Sequence, residues 1–473
     1  MKSIYKMAKP LLETEQKALE INLDKRIYGT FAEIGAGQEV ARYFFQAGGS
    51  SGTIAKTMSA YDKSYSDAIY GIESSGRYVC ESRIYKMLDH EYNLMEERLR
   101  VERPETCFFA YANTVAAINY QRTIKGNGWM GIRFQLHHDK APNDLVLHVR
   151  MLDNDNHLQQ DAIGILGVNL VYAAFYHRDN LEKLLSSLMD DLEGRVFIDM
   201  VRLEGPDFQH IDHRLICLNM VKLGLTDVAM FGPDGRSLQA AEFLYKKSVL
   251  IVRSRFRPVT VINWEMFQSG MDQFTQELAC GNNDVFLLPE ITIDDLMSQG
   301  EIDEKDYLER IEILSALNHV VVISNCKQHQ KLINYLLDYR ISNVGFVMSI
   351  WHLKDILHEK YENNKDGRLI ASFGAMFSKQ VRIYAYPAIE SETGVLVNSG
   401  NIDIPEDIKY LYLHLLENKH ITDMKKYTPE ILQYYSKEVL RSLRTQEEGW
   451  EKLVPPGIAE LIIAKKMFGF GSV

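Results

Sequence analysis

Along this 473-residue chain the spacing of hydrophobic positions changes several times, and each change predicts a different kind of element. From Gly126 the period is two: MGIRFQLHHDKAPNDLVLHVRML predicts two strands joined around Ala141, Pro142, Asn143 and Asp144. Pairing them places Ile132, Phe134, Leu136, Leu147, Val149 and Met151 on one face. Arg133, Gln135, His137, His148 and Arg150 fall on the other, which is expected to face solvent or to floor an anion site. The apolar run Ala162 to Tyr176 predicts a buried helix over 159–176, since it is short for a membrane span and contains Asn169. Strands are then predicted at VFIDMVRL (196–203), TDVAMF (226–231) and VLIVRSRF (249–256), with helices at 213–223 and 238–247 between them. A second strand series follows in VFLLPEI, VVVIS, NVGFVM and VRIYAYP.

Strands and helices in alternation imply an α/β fold: mostly parallel sheets with covering helices, a β-hairpin insertion, and helical N- and C-terminal regions. The first 124 residues are expected to be mainly helical, with a charged helix from Tyr78 to Arg103 stopped at Pro104. Tyr61, Tyr65, Tyr70, Tyr78 and Tyr85 are assigned to packing or an interface. Beyond about residue 404 the chain is expected to be helical, with breaks at Pro429 and Pro455–Pro456. The expected domains are 1–124, 125–280, 281–403 and 404–473. No short repeat interrupts this organisation.

Composition changes the picture in two ways. A net charge of −11 argues against nucleic acid or an anionic membrane as partner. Five separated cysteines, Cys80, Cys107, Cys217, Cys280 and Cys326, form no CxxC pair, so reduced thiols in a cytoplasmic protein are expected, without disulfide frame or zinc ribbon. The N-terminal MKSIYKMAKPLLETEQKALEINLDKR lacks the apolar centre of a secretory signal.

The segment from Phe31 to Asp62, FAEIGAGQEVARYFFQAGGSSGTIAKTMSAYD, holds two glycine clusters, each before a predicted helix. Glycine permits close backbone approach and a helix N-terminus offers unpaired N–H groups, so Gly35, Gly37, Gly49, Gly52 and Lys56 are candidates for an anion cradle. The alternative is that these glycines only punctuate helices. A dinucleotide fingerprint would need glycine at Val40, and a nucleoside triphosphate loop would need it at Ser50 and Ala55. The string EIGAG is similar to the first methyltransferase motif, but AGGSSG follows where the next strand should begin.

Further along, Arg253, Arg255 and Arg257 alternate in VRSRFRP and are expected to project from one strand face within about 14 Å. They would be neutralised by an anionic ligand or by the abundant acids. Lys56→Ala and Arg255→Ala are therefore expected to weaken ligand binding without unfolding. In DFQHIDHR, Asp207, His210, Asp212 and His213 have metal-ligand chemistry, but the spacing matches no zinc signature and Asp212 suits a helix N-cap, so no metal site is predicted. DNDNHL (Asp153 to Leu158) and the later VVVISN, with Ser324, resemble motifs of haloacid-dehalogenase-type phosphatases, but no acidic pair follows. No GxSxG elbow is present.

Together FAEIGAGQEVARYFF, SGTIAKTMSAYD, GWMGIRFQ and HVRMLD resemble an uncharacterised family of bacterial cytoplasmic proteins. Members carry automatic labels such as nicotinate-nucleotide adenylyltransferase and TonB-dependent receptor. The first label implies an N-terminal HxGH motif and the second an export signal with many membrane strands, and neither occurs here. The expected function is binding of a phosphorylated or nucleotide-like anionic small molecule, with group transfer as the reaction class and the cofactor unknown. The alternatives are a noncatalytic homo-oligomeric assembly protein and a haloacid-dehalogenase-like phosphatase.

Overall fold

A computed structural model describes residues 13–74, 76–123, 125–278, 285–297, 300–364, 368–377 and 380–471. Cys280, the expected boundary at 280/281 and the first twelve residues lie outside the described residues. The chain is α/β and divides into two compact units, Met1–Thr226 and Asp227–Val473.

The first unit is built on one six-stranded sheet comprising β1 (Ile27–Gly35), β2 (Ile54–Ala60), β3 (Cys107–Ala116), β4 (Asn127–Phe134), β5 (Asn143–Met151) and β6 (Val196–Glu204). Their order is β2-β1-β3-β4-β5-β6, with β1 parallel to both β2 and β3 and the remaining pairs antiparallel. The predicted hairpin is thus β4–β5, at the centre of a sheet, and the boundary expected near 124 falls between paired strands β3 and β4. Three strands lie in the region expected to be mainly helical. Of these β3, CFFAYANTVA, is buried along nearly its whole length and shows no alternation to mark it as a strand.

Met130, Ile132, Phe134, Leu145, Leu147, Val149 and Met151 form one core with the helices Thr14–Leu23, Val40–Ala47 and Asn156–Tyr176. Within the strands the opposite face of the hairpin is covered rather than solvent-facing, whereas His137, beyond the end of β4, is exposed. Trp129 and Val146 on that face give the Glu81–Leu99 helix an apolar surface through Ile84, Met87 and Leu88. The polar side chains of this face find partners within the chain: Arg133 forks onto Asp144 at 2.8 and 2.7 Å, and His148 Nδ1 lies 2.6 Å from Asp199 Oδ1.

The second unit carries an eight-stranded sheet: β7 (Val228–Phe231), β8 (Ser237–Leu238), β9 (Ser248–Arg253), β10 (Val285–Thr292), β11 (Val321–Ser324), β12 (Asn343–Ser349), β13 (Val381–Tyr386) and β16 (Ile421–Asp423). β14 (Ala388–Ile389) and β15 (Leu396–Val397) form a separate antiparallel pair. The order of the large sheet is β16-β13-β12-β9-β10-β11-β7-β8, parallel from β16 to β11. Counted from β9 along the chain, these parallel strands lie in the order 3-2-1-4-5-6 of the doubly wound sheet. The connection from β9 runs to β10 on one side, and the His329–Leu337 helix carries the chain back across to β12 on the other. The order therefore reverses between β9 and β12, and in such sheets ligands lie beyond the carboxyl ends at that reversal. Among the described residues no helix is long and apolar enough to cross a membrane.

Candidate functional site

The two glycine clusters do not share a cradle. Gly35 ends β1 at φ 76°, and a Cβ there would lie 2.3 Å from the Val115 carbonyl oxygen. At Gly37 a Cβ would lie 2.2 Å from Asn113 Oδ1, while Asn113 Nδ2 donates to the Gly37 carbonyl at 2.8 Å. These glycines allow the chain leaving β1 to lie against β3. No helix follows the second cluster: Gly49 and Gly52 stand just before strand β2, which carries Lys56 and whose start pairs with Gly29. They therefore flank the opposite edge of the sheet, about 20 Å from Gly35 at the strand rise.

Lys56 faces neither cluster. Its Nζ lies 2.5 Å from Glu91 Oε2, and Tyr70 donates to Glu91 Oε1 at 2.7 Å, so it neutralises a buried carboxylate. Lys56→Ala is expected to cost about 1–3 kcal/mol by leaving Glu91 with the tyrosine alone. Equal urea midpoints for variant and parent would contradict this role.

Gly35 does line a cleft of about 700 Å³ at the carboxyl ends of β1 and β3, together with Tyr61, Tyr120, Arg122 and Asp155. The helix beginning there is already capped, since Asp155 accepts from the backbone N–H of His157 at 2.8 Å and Leu158 at 3.2 Å. Arg122 is the one Lys or Arg among the described residues lining this cleft.

The three arginines diverge because β9 stops at Arg253, so strand alternation does not extend to Arg255 and Arg257. Arg253, partly buried, forks onto the fully buried Glu290 of β10 at 2.8 and 2.9 Å, and Ser324 of β11 donates to Glu290 at 2.5 Å. Arg255 reaches Asp295 at 3.4 Å, and Arg257 lies 2.5 Å from Asp306, which also accepts from Arg310 at 2.7 Å. Each guanidinium thus has a carboxylate of the chain as its partner. In doubly wound sheets that bind dinucleotides, the turn after the first strand is rich in glycine and an acid beyond the second strand meets the ribose. Here the turn is Ser254 to Thr260 without glycine, and Glu290 is held by Arg253.

The phosphatase motifs also separate. Asp153 follows β5 in the first unit and accepts from Arg195 at 3.0 Å, whereas Ser324 ends β11 in the second. A shared active site needs both strands in one sheet. Asp207 accepts from Asn143 at 2.9 Å, and Asp212 caps the His213–Lys222 helix.

What the second unit does assemble at its carboxyl edge is a pocket of about 470 Å³. It is bounded by the start of the His329–Leu337 helix and by the Ile350–Asn363 and Leu369–Met376 helices. Lys327, His329, His352, Lys360 and Arg368 line it. His329 is 5% exposed, its ring packs edge-on to Phe346 at 5.2 Å, and its Nε2 has no hydrogen-bond partner. Burial holds this imidazole well below its ordinary pKa, so it is neutral. Its helix starts without a side-chain cap at Gln328, leaving backbone N–H groups at the pocket wall. Arg253 fixes the approach by donating from Nη1 to the Lys327 carbonyl at 3.0 Å. Lys360 donates to the Ser372 carbonyl and hydroxyl at 2.9 and 3.0 Å, and burial lowers its ammonium pKa. The one sequence signal for this site is the polar string Asn325 to Gln330 after VVIS; Lys360 and Arg368 arrive from later elements.

No protein-family model matches the chain, and no curated protein matches its sequence. Solved structures with local likeness include the competence/damage-inducible protein CihA from Agrobacterium tumefaciens, at 16% identity over 34% of this chain and 93% of that one, TM-score 0.24. A CinA-superfamily protein from Enterobacter cloacae matches at 12% identity over 37% and 95%, TM-score 0.24. The competence damage-inducible protein A from Klebsiella pneumoniae matches at 13% over 34% and 94%, TM-score 0.25.

Proposed function

We propose that the second unit binds a phosphorylated anionic small molecule in the pocket at the start of the His329–Leu337 helix. The observation that carries this reading is the His329 Nε2, buried without a partner in a wall that also presents Lys327, Lys360 and Arg368. A buried polar atom left unpaired costs free energy, and a ligand oxygen would satisfy it once the ring turns toward the cavity. A helix start and cations around one cavity are the chemistry that holds phosphate. Group transfer belongs to the same reading, because such cations also stabilise charge on a moving phosphoryl group. The cysteines are far apart in the sequence and form no CxxC pair, which supports a reducing cytoplasm as the compartment.

Isothermal titration of the full chain with inorganic phosphate and pyrophosphate tests the reading. Binding is expected, weakened about tenfold or more in Lys360→Ala through loss of a charge-assisted contact. Unchanged affinity in both Lys360→Ala and His329→Gln would move the ligand elsewhere.

A further inference from the structure

The part of this pocket away from its cations narrows the class of ligand. Resting on the phosphate reading above, we infer that the ligand is a phosphate monoester of a polyhydroxylated carbon skeleton, of the sugar-phosphate type, and not a nucleotide.

The charges argue for one phosphate. Glu359 stands in the same lining as Lys327 and Lys360, and Gln328 Nε2 donates to its Oε1 at 3.4 Å. A carboxylate there repels a second phosphate, and it accepts hydrogen bonds without being able to donate. A ligand that meets it favourably must bring donors, and hydroxyl groups are donors. The other polar groups fit the same partner: the carboxamides of Gln330 and Asn363 and the Ser372 hydroxyl both give and take hydrogen bonds, as sugar hydroxyls require.

The apolar part argues against a base. Ile356, Ala371 and Met376 supply it, and no Phe, Tyr or Trp is among the described lining residues. Base recognition draws on a flat aromatic face, worth about 1–3 kcal/mol per stacked base; the only rings in the described lining are the imidazoles of His329 and His352, which lie against each other with centroids 5.1 Å apart, His329 being buried. The volume of about 470 Å³ lies toward the lower end of the range for small-molecule sites.

Titration calorimetry on the full chain decides the matter with inorganic phosphate, ribose 5-phosphate, glucose 6-phosphate, glycerol 3-phosphate, AMP and free glucose as probes. The tightest sugar or polyol phosphate is expected to bind at least about tenfold better than inorganic phosphate, and AMP no better than inorganic phosphate. Glu359→Ala is expected to erase that preference while inorganic phosphate binds at least as well as in the parent. If phosphate binds but AMP is the tightest probe, or no polyol ester exceeds phosphate, the ligand class is wrong and the phosphate site stands. If neither phosphate nor any ester binds, both fall.

Discussion

Arg253→Ala is expected to destabilise the second unit by about 3–5 kcal/mol, the cost of leaving a buried carboxylate without its cation. The partner, Glu290, is fully buried and takes both ends of the Arg253 fork, at 2.8 and 2.9 Å. Without the guanidinium only the Ser324 hydroxyl remains on Glu290 among its side-chain contacts described above. Urea unfolding measures the loss. Arg253→Met combined with Glu290→Leu should recover most of it, because the pair is then removed along with its desolvation cost. Arg255→Ala is the contrast: its side chain is 55% exposed and its 3.4 Å contact with Asp295 is a surface pair, so about 0–1 kcal/mol is expected. Equal stability of Arg253→Ala and Arg255→Ala would remove the distinction between a buried clamp joining β9 to β10 and a surface charge.

The second large effect is a pH dependence in the first unit. Glu33 on β1 is 2% exposed, and burial raises its carboxyl pKa to about 8 even though the Val40 N–H donates to it at 2.9 Å. Its unfolded value is the ordinary 4.5, so between these values the folded state holds a proton that the unfolded state has lost. This contribution to stability is fully present below pH 4.5 and is lost as pH rises through 8. The change amounts to about 5 kcal/mol at most. Glu33→Gln keeps an acceptor for Val40 and carries no charge. Its advantage over the parent should be small at pH 5 and reach a few kcal/mol at pH 9, read from urea unfolding at each pH. A constant difference across that range would show that Glu33 ionises without penalty in the fold.

Both effects come from ionisable side chains whose neighbours are distant in sequence, and this separates what could be read along the chain from what could not. Periodicity made the hairpin legible, because polar residues alternate with apolar ones along it even though both faces are covered; Ile132, Phe134, Leu147, Val149 and Met151 do share one core. The alternation of strands and helices from residue 196 onward made the α/β class legible in the same local way. Strand β3 was not legible, since burial on both faces erases the alternation. Nor was the role of the arginines: the residues that neutralise Arg253, Arg255 and Arg257 lie 37, 40 and 49 positions away. The glycines showed where the backbone must pass closely, but only the sheet decided that Gly35 and Gly52 flank opposite edges. The candidate pocket is the extreme case, because its wall takes Lys327 and His329 from one connection and Lys360 and Arg368 from later ones. By itself the sequence determined the strands and helices whose periodicity was clear, but it expected a helix where the largely exposed strand β2 carries Lys56; the tertiary structure alone decided which charges meet each other and which buried atom remains without a partner. The reason is that side-chain periodicity is set over a few residues, whereas neutralisation and desolvation depend on whatever the fold brings within a few ångströms.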